Sequence, residues 1–217
     1  NERTGEMFFN DATLCFQHWQ SCASCHARDA RIDGLNWDLL NDGIGNPKNT
    51  KTLLLTHKTP PAMSLGIRKN AEEAVRSGFR HIQFVFCSEE NARNIDAYLM
   101  ALQPISSPHL EKGKLSKSAL RGEKVFMKAG CVFCHPAPMY TDLKQYNVGL
   151  GEGIEKNKVF DTPSLIECWR TAPYLHDGRA ATLNEVLIRC NENDNHGSTS
   201  RLTPSEVNDL IKYVLSL

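Results

Sequence analysis

"CASCH" at Cys22–His26 and "CVFCH" at Cys131–His135 are the stretches of this 217-residue chain where residue type and spacing amount to chemistry. Each sets two thiols three residues apart, with an imidazole directly after the second. Three chemistries could use such a motif twice: one zinc ion shared by two Cys pairs, a pair of redox dithiols, or two covalently held haems. Cys pairs that share a zinc ordinarily lie within about 20 residues of each other, whereas Cys22 and Cys131 are 109 positions apart. A redox dithiol is ordinarily found near a βαβ pattern, of which the sequence shows no sign. Neither accounts for a His in both copies. Covalent haem uses every position: two thioethers fix one porphyrin edge, and the adjacent His reaches the iron. The motifs therefore predict two c-type haems, attached through Cys22/Cys25 and Cys131/Cys134, with His26 and His135 as proximal iron ligands.

The rest of the composition narrows the setting. Eight Cys and eight His are many for this length, while Lys+Arg and Asp+Glu both number 25, giving a formal net charge of zero. Without a basic stripe, nucleic acid is excluded as an expected partner. No apolar run approaches the roughly 20 residues that cross a bilayer, so no membrane span is expected in this chain. The sequence opens at Asn1 without a charged and apolar leader, so an export signal is expected to be removed or to lie outside it. Thioether attachment of haem takes place outside the bacterial cytoplasm. The expected location is therefore periplasmic or otherwise extracytoplasmic, with an electron-transfer protein as partner.

An internal repeat organises the elements that must carry these motifs. "GEMFF" (Gly5–Phe9) matches "GEKVF" (Gly122–Phe126), each upstream of a Cys-x-x-Cys-His. "NTKTLLLTHKTPPAMSLG" (Asn49–Gly66) matches "DTPSLIECWRTAPYLHDG" (Asp161–Gly178) without a gap, and "YLMAL" (Tyr98–Leu102) matches the terminal "YVLSL" (Tyr213–Leu217). Each copy reads as a helix before the Cys pair, a Gly/Pro-rich loop, a short helix and an amphipathic closing helix. Thr203, Pro204 and Glu206 form a capping-box start, followed by Val207, Leu210, Ile211 and Val214 at helical spacing. Asn91–Leu102 repeats that spacing through Ile95, Tyr98, Leu99 and Leu102. The expected fold is all-α: two tandem cytochrome c-like domains, 1–104 and 117–217, related by duplication. The Pro-, Ser- and Lys-rich residues 105–116 read as a linker.

These residues carry a family likeness. "SCASCH" (Ser21–His26), "DGL" (Asp33–Leu35) and "PKNTKTLL" (Pro47–Leu54) resemble the first haem domain of bacterial dihaem cytochrome c peroxidases. "FDTPSL" (Phe160–Leu165) and "TAPYLHDGRAATLNEVL" (Thr171–Leu187) resemble the second. The likeness extends to the relative that matures tryptophan-derived quinone cofactors, and to cytochrome modules that follow β-propellers, which would imply a missing N-terminal domain. It implies one haem that takes electrons and one that reduces hydrogen peroxide, often with a calcium ion between the domains, here near Asn49 and the Phe160–Pro163 backbone. Two departures stand out. "SLG" (Ser64–Gly66) replaces the family's Trp-Asp-Gly, and the glutamate beside the peroxidatic haem is replaced within "SGFRHIQF" (Ser77–Phe84).

The sixth ligand of each iron separates a wire from an enzyme, since an open position permits chemistry. Counting back from the closing helices places His196 opposite His81, each in a short loop. Both are expected as distal ligands, which makes the chain an electron carrier with two six-coordinate haems. The alternatives are a peroxidase or related oxidase whose first haem is active with His81 as distal acid–base, and a haem-bearing sensor or interaction domain. Met63 competes for the first iron, although its repeat partner is Leu175; Met139 lies too close behind His135 to reach the far face. His176 reads as ordering a turn or a propionate, and His18, His57 and His109 as loop or surface residues. Cys190 could ligate as a thiolate or pair with Cys168, and Cys15 with Cys87; the sequence leaves these open.

Overall fold

In this computed structural model of the protein, which describes residues 1–38 and 46–217, the chain forms two compact units, Asn1–Gln103 and Pro104–Leu217. In the first unit, α1 (Glu2–Asn10) leads into the short α2 (Cys22–Cys25) and α3 (Ala27–Ala30). A two-residue antiparallel pair follows, β1 (Asn36–Trp37) with β2 (Lys48–Asn49). Then come α4 (Ala71–His81), capped by the Asn70 side chain, and α5 (Glu89–Ala101), capped by Ser88. Phe9, Ala30, Phe79, Ile95 and Leu99 form its core.

The second unit opens with α6 (Lys117–Lys128), then the antiparallel pair β3 (Gln145–Tyr146) and β4 (Phe160–Asp161). It closes with α7 (Leu183–Leu187) and α8 (Pro204–Val214). Helices α7 and α8 both start with a reciprocal capping box, Thr182 with Glu185 and Thr203 with Glu206. Such a box satisfies two of the N–H groups a helix start leaves orphaned. The core gathers Ala119, Val125, Phe126, Cys168, Leu210, Tyr213 and Val214.

The helix before each Cys motif packs on the closing helix of its own unit, α1 on α5 and α6 on α8. A glycine permits each contact. A Cβ on Gly5 would lie 1.8 Å from the Asn94 carbonyl oxygen, and one on Gly122 1.9 Å from that of Asp209. The matched segments 49–66 and 161–178 also bend alike. Leu55 and Glu167, Met63 and Leu175, and Gly66 and Gly178 all have left-handed φ. The bridge Ala62–Arg68 recurs as Tyr174–Ala180.

The stretch read as a linker is fastened to the second unit. The Ile105 N–H donates to Glu167 Oε1 at 2.7 Å and Ser107 Oγ to the Leu215 carbonyl at 2.5 Å. Both partners lie more than 60 residues away, beyond the reach of composition. Among the described residues, no helix is long and apolar enough to cross a membrane.

Candidate functional site

Both Cys-x-x-Cys-His motifs wind into a single turn. In the first unit a capping box between Ser21 and Ser24 starts α2, and the His26 N–H closes on the Cys22 carbonyl at 2.9 Å. In the second unit Gly130, at φ +80°, turns the chain into a 3-10 turn at Cys131–Phe133, and the His135 N–H closes on the Cys131 carbonyl at 2.9 Å. The i, i+3, i+4 face thus exists in both copies.

The two histidines are prepared in the same way. His26 Nδ1 lies 3.0 Å from the Lys51 carbonyl oxygen, and His135 Nδ1 lies 2.9 Å from that of Tyr140. A carbonyl only accepts, so Nδ1 carries the proton in each ring and the Nε2 lone pair stays available to a metal. Burial pushes both imidazoles below the usual histidine range, so they stay neutral. Burial also raises the motif thiols, Cys22 to about 12 and Cys25 and Cys131 to about 11. A reactive dithiol needs the opposite, a depressed pKa. Nor do three or more His, Cys, Asp or Glu side chains gather anywhere among the described residues to hold a bare metal ion.

The geometry opposite His135 is specific. The His196 ring stands 6.4 Å from the His135 ring, centroid to centroid, with planes at 49°. With metal–nitrogen bonds of about 2.0–2.1 Å and roughly 1.1 Å from nitrogen to ring centre, two imidazoles sharing one metal can have centroids up to about 6.2–6.4 Å apart. His196 Nδ1 is buried without a hydrogen-bond partner. Burial, reinforced by His135, pushes its pKa down to about 4, so the ring is a neutral donor. The residues of the second unit therefore fit a haem iron held between two histidines.

His81 is placed differently. It is the last residue of α4 and is exposed, not a member of a short loop. Asn70 caps that helix and Ala71, Ser77 and Phe79 are buried along it, which carries the helical run through residue 81. Two residues beyond Phe79 is a rotation of about 200°, so His81 turns away from the face that Phe79 buries. The count from the closing helices still holds, since His81 precedes Ser88 by seven residues and His196 precedes Thr203 by seven. The same position is a helix end in one unit and a loop in the other. Among the described residues, His135 and His196 form the one histidine–histidine ring contact.

Just ahead of the first motif in the chain, the structure gathers aromatics. Phe16, Gln17, Trp19 and Phe84 line an open, mostly apolar recess of about 470 Å³. It is stitched by the Phe16 N–H to the Gln83 carbonyl at 2.8 Å and by Gln20 Nε2 to the Ile82 carbonyl at 2.9 Å. The segment just before Cys22 is thereby tied to the one just after His81. Sequence reasoning missed these residues; the two aromatics of "FQHWQ" ahead of "SCASCH" were the available signal.

The other candidates resolve as follows. His57 is not at the surface: its side chain is 5% exposed and its Nε2 lies 3.0 Å from Asp96 Oδ1. His176 is likewise buried, with Nε2 3.1 Å from Glu155 Oε2. His18 and His109 are exposed, as expected. Met63 holds the left-handed turn that Leu175 holds in the other unit. Neither candidate disulfide, Cys168–Cys190 or Cys15–Cys87, is formed.

No family model matches the chain. Individual proteins do. It is 32% identical to hydrazine synthase subunit gamma of Kuenenia stuttgartiensis, over 99% of this chain and 77% of that one. A solved structure of that organism's hydrazine synthase, pressurised with xenon, superposes with a TM-score of 0.90 at 28% identity, covering 100% of this chain and 87% of the other. A cytochrome-c peroxidase of Denitromonas iodatirespirans is 30% identical over 49% of this chain and 42% of its own. The chain belongs to the dihaem cytochrome c peroxidase superfamily. Membership implies two c-type haems. As a dihaem superfamily member, the chain keeps the helix-rich fold of its relatives.

Proposed function

We propose that this chain is a dihaem oxidoreductase in which the second haem relays electrons and the first performs chemistry. The observation that carries the reading is the 6.4 Å pairing of His135 with His196, against an exposed His81 in the first unit. When bound, haem iron supplies one-electron redox chemistry and, where its sixth position is open, activation of a small ligand such as hydrogen peroxide. Cys22, Cys25 and His26 would hold the first haem, and Cys131, Cys134, His135 and His196 the second. His135 and His196 would both hold that iron and leave no room for an added ligand, which suits a relay. In the first unit the Lys51 carbonyl orients His26 by holding its Nδ1 proton, and the recess of Phe16, Trp19 and Phe84 offers an apolar approach. His81, with no partner on its ring required by this reading, would serve the solvent edge of that site as a proton donor.

The two units are read as products of one duplication, supported by the matched glycine contacts and left-handed turns. The setting is periplasmic, with a protein partner delivering or drawing electrons. The likeness to a subunit of hydrazine synthase favours a larger assembly. A bound calcium ion belongs to the same reading, and elemental analysis after dialysis that finds none would remove it.

Titrating cyanide, then peroxide, into the oxidised haem-loaded protein tests the division of labour by visible spectroscopy. One haem should respond and one should not. Equal response of both, or of neither, would end the reading.

A further inference from the structure

The stretch "NENDNHGSTS" (Asn191–Ser200) has the composition of a solvated loop, yet Asn191 is only 5% exposed. Its side chain serves the loop alone. Oδ1 accepts the His196 N–H at 2.8 Å, while Nδ2 faces the His196 carbonyl at 3.1 Å, the Gly197 carbonyl at 2.8 Å and Thr199 Oγ1 at 2.8 Å. One carboxamide thus satisfies both backbone polar groups of His196.

The clamp is anchored at both ends. Thr199 Oγ1 donates to the Leu187 carbonyl at the end of α7 at 2.6 Å, and the Ser198 N–H donates to the Ala129 carbonyl just past α6 at 2.9 Å. Asp194 closes the turn from inside, accepting the Thr199 and Ser200 N–H groups at 2.8 and 2.9 Å. Gly197, at φ +82°, lets the backbone come down on the Cys131 turn: a Cβ there would lie 3.3 Å from the Ala129 oxygen and 3.7 Å from Cys131 Sγ. The loop carrying His196 is therefore fastened to the turn carrying His135.

From this geometry we infer that Asn191 is a positioning residue that holds His196 over the second iron and keeps that iron closed to added ligands in both oxidation states. The inference rests on His196 being the sixth ligand. A long, unclamped loop would let the imidazole swing away and rebind, since ordering a free loop costs backbone entropy each time. Asn191 removes that freedom in advance. Asn191→Asp keeps the acceptor for the His196 N–H but turns a carboxylate toward two carbonyl oxygens, so it should loosen the loop as Asn191→Ala does.

The test uses the haem-loaded protein, cyanide for the ferric state and carbon monoxide for the ferrous state. Asn191→Ala should bind both at the second haem about 10–100-fold faster than wild type, the range typical of removing a partner that orients a metal ligand. Arg121→Ala, which breaks the Arg121–Asp209 pair of the same unit, controls for general loosening. It should leave the second haem closed, and if it opens that haem as far as Asn191→Ala does, the positioning role is refuted. His196→Ala separates the two levels. If His196→Ala opens the haem and Asn191→Ala does not, the clamp alone is wrong; if His196→Ala leaves the haem closed, the ligand assignment fails first. Should Asn191→Ala not fold, hydrogen exchange on wild type decides: the His196 amide must exchange far more slowly than those of Glu192 and Asn193, and equal rates overturn the clamp.

Discussion

Gly122 lies so close to Asp209 that a side-chain carbon on the glycine would sit 1.9 Å from the aspartate's carbonyl oxygen. The obstacle is backbone, which cannot rotate aside as a flexible side chain would, so α6 and α8 can cross as they do only over a residue without a Cβ. Gly122→Ala should therefore cost well over the roughly 1–3 kcal/mol of ordinary overpacking. Thermal melts followed by helical circular dichroism should show a large loss of stability, and a melting temperature within a degree or two of wild type would refute this account of the crossing.

A second prediction concerns the buried network on α5. The Asp96 side chain is 4% exposed, accepts from His57 Nε2 at 3.0 Å, and pairs with Arg76, which also binds Glu89 at 2.6 Å. Burial acts to raise the Asp96 pKa, but the hydrogen bonds from His57 and Arg76 outweigh it and hold it below the usual carboxylate range. A depressed folded pKa stabilises fully above the unfolded value and is lost as pH falls through the folded one. Asp96→Asn should thus cost about 1.5–3 kcal/mol at pH 7, the range for hydrogen bonds to charged groups. Urea titrations should show the gap narrowing below about pH 4, near the unfolded Asp pKa. A gap unchanged at low pH would contradict the assignment.

The two distal candidates should part company. His196→Ala should convert the second haem to a high-spin, ligand-binding form and leave the first nearly untouched. His81→Ala should leave the spin state of both haems unchanged and, at most, slow the reaction of the first haem with peroxide. Spectra showing that His81→Ala frees a low-spin iron would restore His81 as a ligand.

What was legible from sequence was local. The Thr203–Pro204–Glu206 start of α8 is fixed by neighbours within four residues, and it appears as expected. His57 looked like a surface residue because its partner, Asp96, comes from α5, 39 positions later. The residue count aligned His81 with His196 but could not foresee that Phe79 and Asn70 would extend α4 through residue 81, where the other unit forms a clamped loop. Asn191 was hidden by the same limit: its polar neighbours announce a surface loop, and only the fold shows it buried beneath His196.

The central claim, a closed second haem beside an open first one, is tested most directly by low-temperature electron paramagnetic resonance of the oxidised protein carrying both haems. The account predicts two signals of equal intensity: a low-spin ferric centre with bis-histidine character, removed by His196→Ala, and a high-spin ferric centre that persists in that variant. Two low-spin centres in the wild-type protein would contradict it and make the chain a wire through both irons.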